Sequence, residues 1–171
     1  MSAKQNANES EAAREHIITR VFDAPARLLF EAYSKPEHIK KWFGPVGWPV
    51  TMAEIDFRVG GRFRFAMTGP SGEQNTPFGG EYLEIVPDRR IVFDNGFEMP
   101  GAQRMVMTVT FDERDGKTTL TIRTLFESQA MKAEHLGMGF DQGTNSGLDQ
   151  LAELAAQLAS RSQRTPTGRI S

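Results

Sequence analysis

The period of the hydrophobic positions changes twice along the chain. Residues 16 to 23 form a short β-like run, and Ala24-Pro25 then opens a segment in which Leu28, Leu29, Ala32 and Tyr33 recur at helical spacing. Proline suits a first helical turn, where its missing N–H would be unpaired in any case. Ser34-Lys35-Pro36 interrupts this helix, and a second short one carries Ile39, Trp42 and Phe43 up to the Gly44-Pro45 stop. From Thr51 the period becomes two. Phe63, Phe65 and Met67 alternate with Arg62, Arg64 and Thr68, and the same pattern returns through Met105, Met107, Val109 and Phe111 and through Leu120 and Ile122. Each run therefore has one wet face. Turns are marked by Gly60-Gly61, Gly69-Pro70-Ser71-Gly72, Pro87-Asp88 and Asp115-Gly116, the last a strong hairpin signal. The pattern predicts seven strands, at residues 16–23, 51–57, 62–68, 79–86, 90–95, 103–111 and 118–126, made antiparallel by their short connections.

Ser128 begins a helical segment that pauses near Gly137 and resumes to about Ser160. A 100° turn per residue places Phe140, Gly143, Thr144, Gly147, Leu151, Leu154 and Leu158 on one face, with Gln142, Ser146, Asp149 and Glu153 turned away. The C-terminal half of that face is leucine. Its N-terminal half holds two glycines, each costing about 1 kcal/mol of helix propensity relative to alanine. Those glycines serve either a close backbone approach or a space beneath the helix for a ligand. Residues 1–14 and 161–171 show no hydrophobic period and are expected as disordered tails around one domain at 15–160.

Composition narrows the function classes. The 171 residues include no cysteine, which removes thiol chemistry, Cys-ligated metal and disulfides. A net charge of -2 supplies no drive toward nucleic acid or anionic lipid. The polar N-terminus does not read as a signal peptide and no run of apolar residues is long enough to span a bilayer, so the expectation is a cytoplasmic protein bound to neither nucleic acid nor membrane.

The order of strand, two short helices, six-strand meander and long amphipathic helix resembles the α+β helix-grip fold of the START-like (SRPBCC) superfamily. Several motifs narrow the resemblance: Asp23-Ala24-Pro25-Ala26, the stretch from Tyr33 to Pro45 with Trp42-Phe43-Gly44-Pro45, Asp56-Phe57-Arg58-Val59-Gly60-Gly61-Arg62-Phe63, Gly80-Glu81-Tyr82-Leu83, and Gly143-Thr144-Asn145-Ser146-Gly147-Leu148. Together they are similar to the branch named after the activator of the heat-shock-protein-90 ATPase. The resemblance implies a seven-stranded antiparallel curved sheet wrapped around the C-terminal helix, with a cavity for an apolar molecule between them. The eponymous activator carries a separate N-terminal chaperone-binding domain, and about fifteen residues precede the first strand here, so a chaperone is the weakest of the expected partners. A small apolar molecule and a second copy of the chain are the others.

Chemistry-bearing residues are sparse. His16, His38 and His135 have no metal-ligand spacing, and neither a metal nor a cofactor is expected. The glycines from Gly137 to Gly143 miss the dinucleotide fingerprint and follow a helix, so Gly139, Gly143 and Gly147 read instead as a row of small residues. Glu54 and Asp56 share a strand face, where paired carboxylates do acid/base work, but the simpler expectation is salt bridges to Arg62 and Arg64. Trp42 is expected in the core, and Trp48, between Gly47 and Pro49, at a cavity mouth. Met67, Met105, Met107, Met131 and Met138 suit either an adaptable ligand wall or an irregular core.

Three readings remain. The first is a module binding a small apolar or aromatic molecule, with candidate contacts Trp48, Phe65, Met67, Tyr82, Met107, Phe140, Asp141, Gly143, Thr144 and Gly147. The second is an enzyme of the polyketide cyclase or dehydratase kind, which the superfamily includes, with Tyr82, Asp141 and Thr144 as actors. The third is a stress-related protein-interaction domain.

Overall fold

The computed structural model describes residues 10–170, with side chains through residue 161. Seven strands, β1 (Glu15–Phe22), β2 (Val50–Ile55), β3 (Arg62–Met67), β4 (Phe78–Val86), β5 (Arg90–Phe97), β6 (Met105–Arg114) and β7 (Lys117–Phe126), form one sheet. Its order is β1-β7-β6-β5-β4-β3-β2 and every pairing is antiparallel. The hairpin expected at Asp115-Gly116 closes between Arg114 and Lys117 with both loop residues at positive φ (54° and 80°), the geometry whose twist matches the flanking strands.

Among the described residues five helices accompany the sheet: α1 (Glu11–Arg14), α2 (Ala26–Ser34), α3 (Pro36–Trp42), α4 (Gln129–Gly137) and α5 (Phe140–Ile170). Two helical stretches lie at the ends of the domain expected at 15–160. Residues 11–14 form a helical turn capped by Ser10, because Arg14 donates to the Phe126 carbonyl (2.9 Å) and Arg123 bridges Glu11 and Glu15. The α5 backbone runs on past Ser160 to Ile170. The expectation for residues 1–9 and 171 lies outside the described residues.

Alternation builds the core. On β7, Thr118, Leu120, Ile122, Thr124 and Phe126 are all buried, and on α5 Leu148, Leu151, Leu154 and Leu158 are buried with them. Each such leucine contributes about 1.5 to 3 kcal/mol by leaving water. Trp42 is core, as its aromatic bulk suggests: its indole N–H donates to the Ala32 carbonyl (3.0 Å) and Tyr33 packs edge-on against it. The chain is thus α+β with a sheet that grips α5.

Polar residues on the flanks of α5 tie it in place. Arg20 on β1 holds Asp149 (2.6 Å) and Asn145 (3.1 Å), and His16 holds Asp141 (2.9 Å). On the opposite side Ser146 accepts from the Val46 N–H (3.0 Å) and Gln150 donates to the Gly44 carbonyl (2.7 Å). Gly139, at φ 91°, supplies the left-handed residue that separates α4 from α5.

Candidate functional site

The leucines of α5 fill the sheet's concavity from Leu148 onward, but Gly143 and Thr144 do not, and a cavity of about 450 Å³ lies there. Its floor is Met67, Phe78, Phe93, Asn95, Met105 and Met107 on the sheet, and its roof is Phe140, Gly143, Thr144 and Gly147 on α5. Tyr33, Trp42 and Phe43 close one side, while Met131, His135 and Met138 of α4 and its C-terminal turn close another. At the rim stand Phe97, Met99 and Met138, three of the most exposed large apolar side chains of the described chain. Six of the eight methionines, including all five weighed from the sequence, line this one space.

Of the ten residues singled out from the sequence, the structure brings six together here: Met67, Met107, Phe140, Gly143, Thr144 and Gly147. The other four lie elsewhere. Trp48 lays its ring over Gly69, so the rim is at Met99 and Met138 rather than near Trp48. Phe65 and Tyr82 belong to a packed aromatic cluster with Phe43, Phe57 and Phe63 around a void of only about 20 Å³. Burial there pushes the Tyr82 phenol well above its ordinary range, as it does for Tyr33. Asp141 turns to the outside of α5, where it meets His16.

The two helix glycines separate by role. A Cβ at Gly147 would sit 3.3 Å from the Trp42 carbonyl oxygen and 3.6 Å from the Gly44 nitrogen, so this glycine lets the Trp42–Gly44 backbone approach the helix. A Cβ at Gly143 would meet only Pro45, at 4.0 Å. The third member of the expected row, Gly139, stands before the helix and serves the break instead.

The acidic strand pair also resolves differently from the expected bridges. Arg64 makes a two-pronged bond to Glu98 (2.6 and 3.0 Å), holding that carboxyl below the usual carboxylate range, and Asp56 pairs with Arg58 (3.0 Å). Glu54 stands opposite Arg64 in register, but the Arg64 guanidinium reaches across β4 to Glu98, just past the end of β5. Among the described residues no group of three His, Asp or Glu is placed to hold a metal, and no helix is long and apolar enough to cross a membrane.

The family model described as Activator of Hsp90 ATPase homolog 1-like protein matches residues 23–156. The chain belongs to this family. Among solved structures, a protein from Chromobacterium violaceum is 30% identical over 83% of this chain and 96% of its own, with a TM-score of 0.72. One from Staphylococcus epidermidis is also 30% identical, over 88% of this chain and 93% of its own (TM-score 0.71), and one from Nitrosomonas europaea is 25% identical over 88% and 99% (TM-score 0.78). The comparison with curated proteins finds no match.

Within this activator-homologue fold the polar groups facing the cavity are few. Thr144 spends its hydroxyl hydrogen on the Phe140 carbonyl (2.8 Å), which leaves its oxygen as an acceptor. His135 bonds the Met131 carbonyl through Nδ1 (2.9 Å), so Nδ1 carries the proton and Nε2 is the acceptor of the neutral ring. Asn95 was missed in the sequence, although a polar residue following Ile91 and Phe93 at strand spacing was a legible signal. Its Oδ1 is buried without a partner, and its Nδ2 reaches only the Met107 sulfur at 4.0 Å. Neither lysine nor arginine is among the lining residues, and Glu134 is the one carboxylate.

Proposed function

We propose that the chain binds a small apolar or aromatic molecule in the space between the sheet and the first turns of α5. The observation that carries this reading is the unfilled cavity of about 450 Å³ walled by six methionines. That volume falls within the range of about 300 to 1,000 Å³ common for small-molecule sites. A core of Leu, Ile and Phe gains its stability by close packing, whereas thioether side chains without branches adapt to an occupant's outline. Gly143 supports the same reading, since a larger residue there would improve the helix and fill the space, yet none is present.

The catalytic reading retains less. Of Tyr82, Asp141 and Thr144, only Thr144 faces the cavity, and its proton is already committed to the helix backbone. Among the described residues no carboxylate or histidine is hydrogen-bonded to it. The binding reading is tested by titrating the purified protein with N-phenyl-1-naphthylamine, an uncharged probe that fluoresces on leaving water, and by weighing the intact protein under native conditions. One-to-one saturable binding is expected. A flat titration together with a mass equal to the bare chain refutes it.

A further inference from the structure

We infer that the occupant is uncharged and presents a hydroxyl or N–H group to Asn95, so that the cavity accepts alcohols, phenols or amides and rejects carboxylates. The inference rests on the binding reading and deepens it. Its first support is the charge of the walls. A carboxylate entering an apolar cavity gives up its hydration and needs a cation in return. None of the lining residues is a lysine or arginine, and Glu134 adds a charge of the wrong sign.

The second support is the unspent hydrogen-bonding capacity of Asn95. A carboxamide offers two N–H donors and two acceptor sites. Here one N–H touches a sulfur at 4.0 Å, the weakest kind of partner, and the oxygen is shut from water with none. The residue sits on the inner face of β5, paired in register with Met105. Leucine at that position would suit an empty protein better, because an unsatisfied buried amide is more costly than an apolar group of similar shape. The amide is useful when something polar is brought to it. Rotation about its last torsion, which is broad and two-fold, lets either end meet the newcomer.

The third support fixes the sense of the bond. Thr144 has only its oxygen left to offer, and neutral His135 has only Nε2, so these two add acceptors to the unpartnered oxygen of Asn95. A ligand that donates finds all three of these acceptors.

Equilibrium dialysis at about pH 8, above the ordinary imidazole range, against 2-methylnaphthalene, 2-naphthol and 2-naphthoate tests this with one ring and three substituents. The naphthol is expected to bind at least about tenfold more tightly than the naphthoate, the scale of one hydrogen bond gained and one charge stranded. In Asn95→Leu the naphthol affinity is expected to fall about tenfold while that of 2-methylnaphthalene is unchanged or tighter. Thr144→Val, which keeps its shape, should move the naphthol and methylnaphthalene affinities apart in the same sense. Naphthoate binding as well as naphthol, or Asn95→Leu weakening all three ligands alike, overturns the inference while leaving the binding reading intact. Failure of all three compounds to bind the parent protein overturns both. The comparison of the three ligands on the parent protein stands even if a variant does not fold.

Discussion

Leucine introduced separately at Gly143 and at Gly147 should have unequal effects on stability, a gain at the first and none at the second, and different routes to loss of binding. Both positions lie one turn apart on α5 and both line the cavity. At either, replacing glycine recovers about 1 kcal/mol of helix propensity. At position 143 the new Cβ meets only Pro45, at 4.0 Å, and the rest of the side chain extends over methionines and Phe140. Burying most of a leucine there adds about 1 to 2 kcal/mol, so Gly143→Leu should be more stable by about 2 to 3 kcal/mol. For a chain of this length that raises Tm by about 4 to 12 °C. At position 147 the Cβ lies 3.3 Å from the Trp42 carbonyl oxygen, an immobile backbone atom, and overpacking of this kind costs about 1 to 3 kcal/mol. The helix gain offsets part of that, leaving Gly147→Leu between neutral and about 2 kcal/mol less stable. Urea titration of the two variants beside the parent measures both values, and the N-phenyl-1-naphthylamine titration follows occupancy. Gly143→Leu should be the more stable protein and should lose the probe. If Gly143→Leu is instead destabilised, or binds the probe unchanged, the space above Gly143 is not a ligand cavity.

Three further outcomes follow from the packing and ion pairs. The chain's two tyrosines, Tyr33 and Tyr82, are both buried and both shifted upward from the ordinary 10.0, so near-ultraviolet phenolate absorbance should stay flat through pH 10 and rise only with unfolding. Because the folded state holds these protons longer than the unfolded chain, the associated stability is intact below pH 10 and falls above it, by about 1.4 kcal/mol per pH unit for each phenol. Glu98 should titrate below the usual carboxylate range in side-chain NMR and return toward it in Arg64→Ala; its small contribution is present above that range and lost as pH falls through the lowered value. Leu151→Ala, at a fully buried position of α5, should cost about 2 to 5 kcal/mol in the same urea titration without moving the cavity's probe affinity in the folded protein.

The fold was legible because its strands have one wet face. Phe63 and Phe65, or Leu120 and Ile122, announce a two-residue period that survives any change in long-range contacts, and Asp115-Gly116 fixes a hairpin locally. The cavity was half legible. A helix face running from leucine to glycine signals missing bulk, and the methionines signal an irregular wall. Depth along the sheet was not legible. Phe65 and Met67 share a face of β3, yet Phe65 is locked among the rings of Phe43, Phe63 and Phe78 while Met67 reaches the open space, a difference set by which residues of other elements lie against each. Trp48 misled because its neighbours Gly47 and Pro49 mark a loop, and a loop beside the cavity in sequence folds its ring over Gly69 instead. Asp141 misled because a helix residue next to a cavity-facing Phe140 points some 100° away, here to His16.

The most direct test of the cavity is methyl NMR of protein labelled at methionine, titrated with 2-naphthol. Met67, Met99, Met105, Met107, Met131 and Met138 line the cavity, and Met52 on β2 does not. Ring-current shifts confined to those six methyls, saturating together with one affinity and leaving Met52 unmoved, are the predicted result. Shifts that are absent, or that reach Met52 as strongly as Met105 and Met107, contradict a binding site between the sheet and α5.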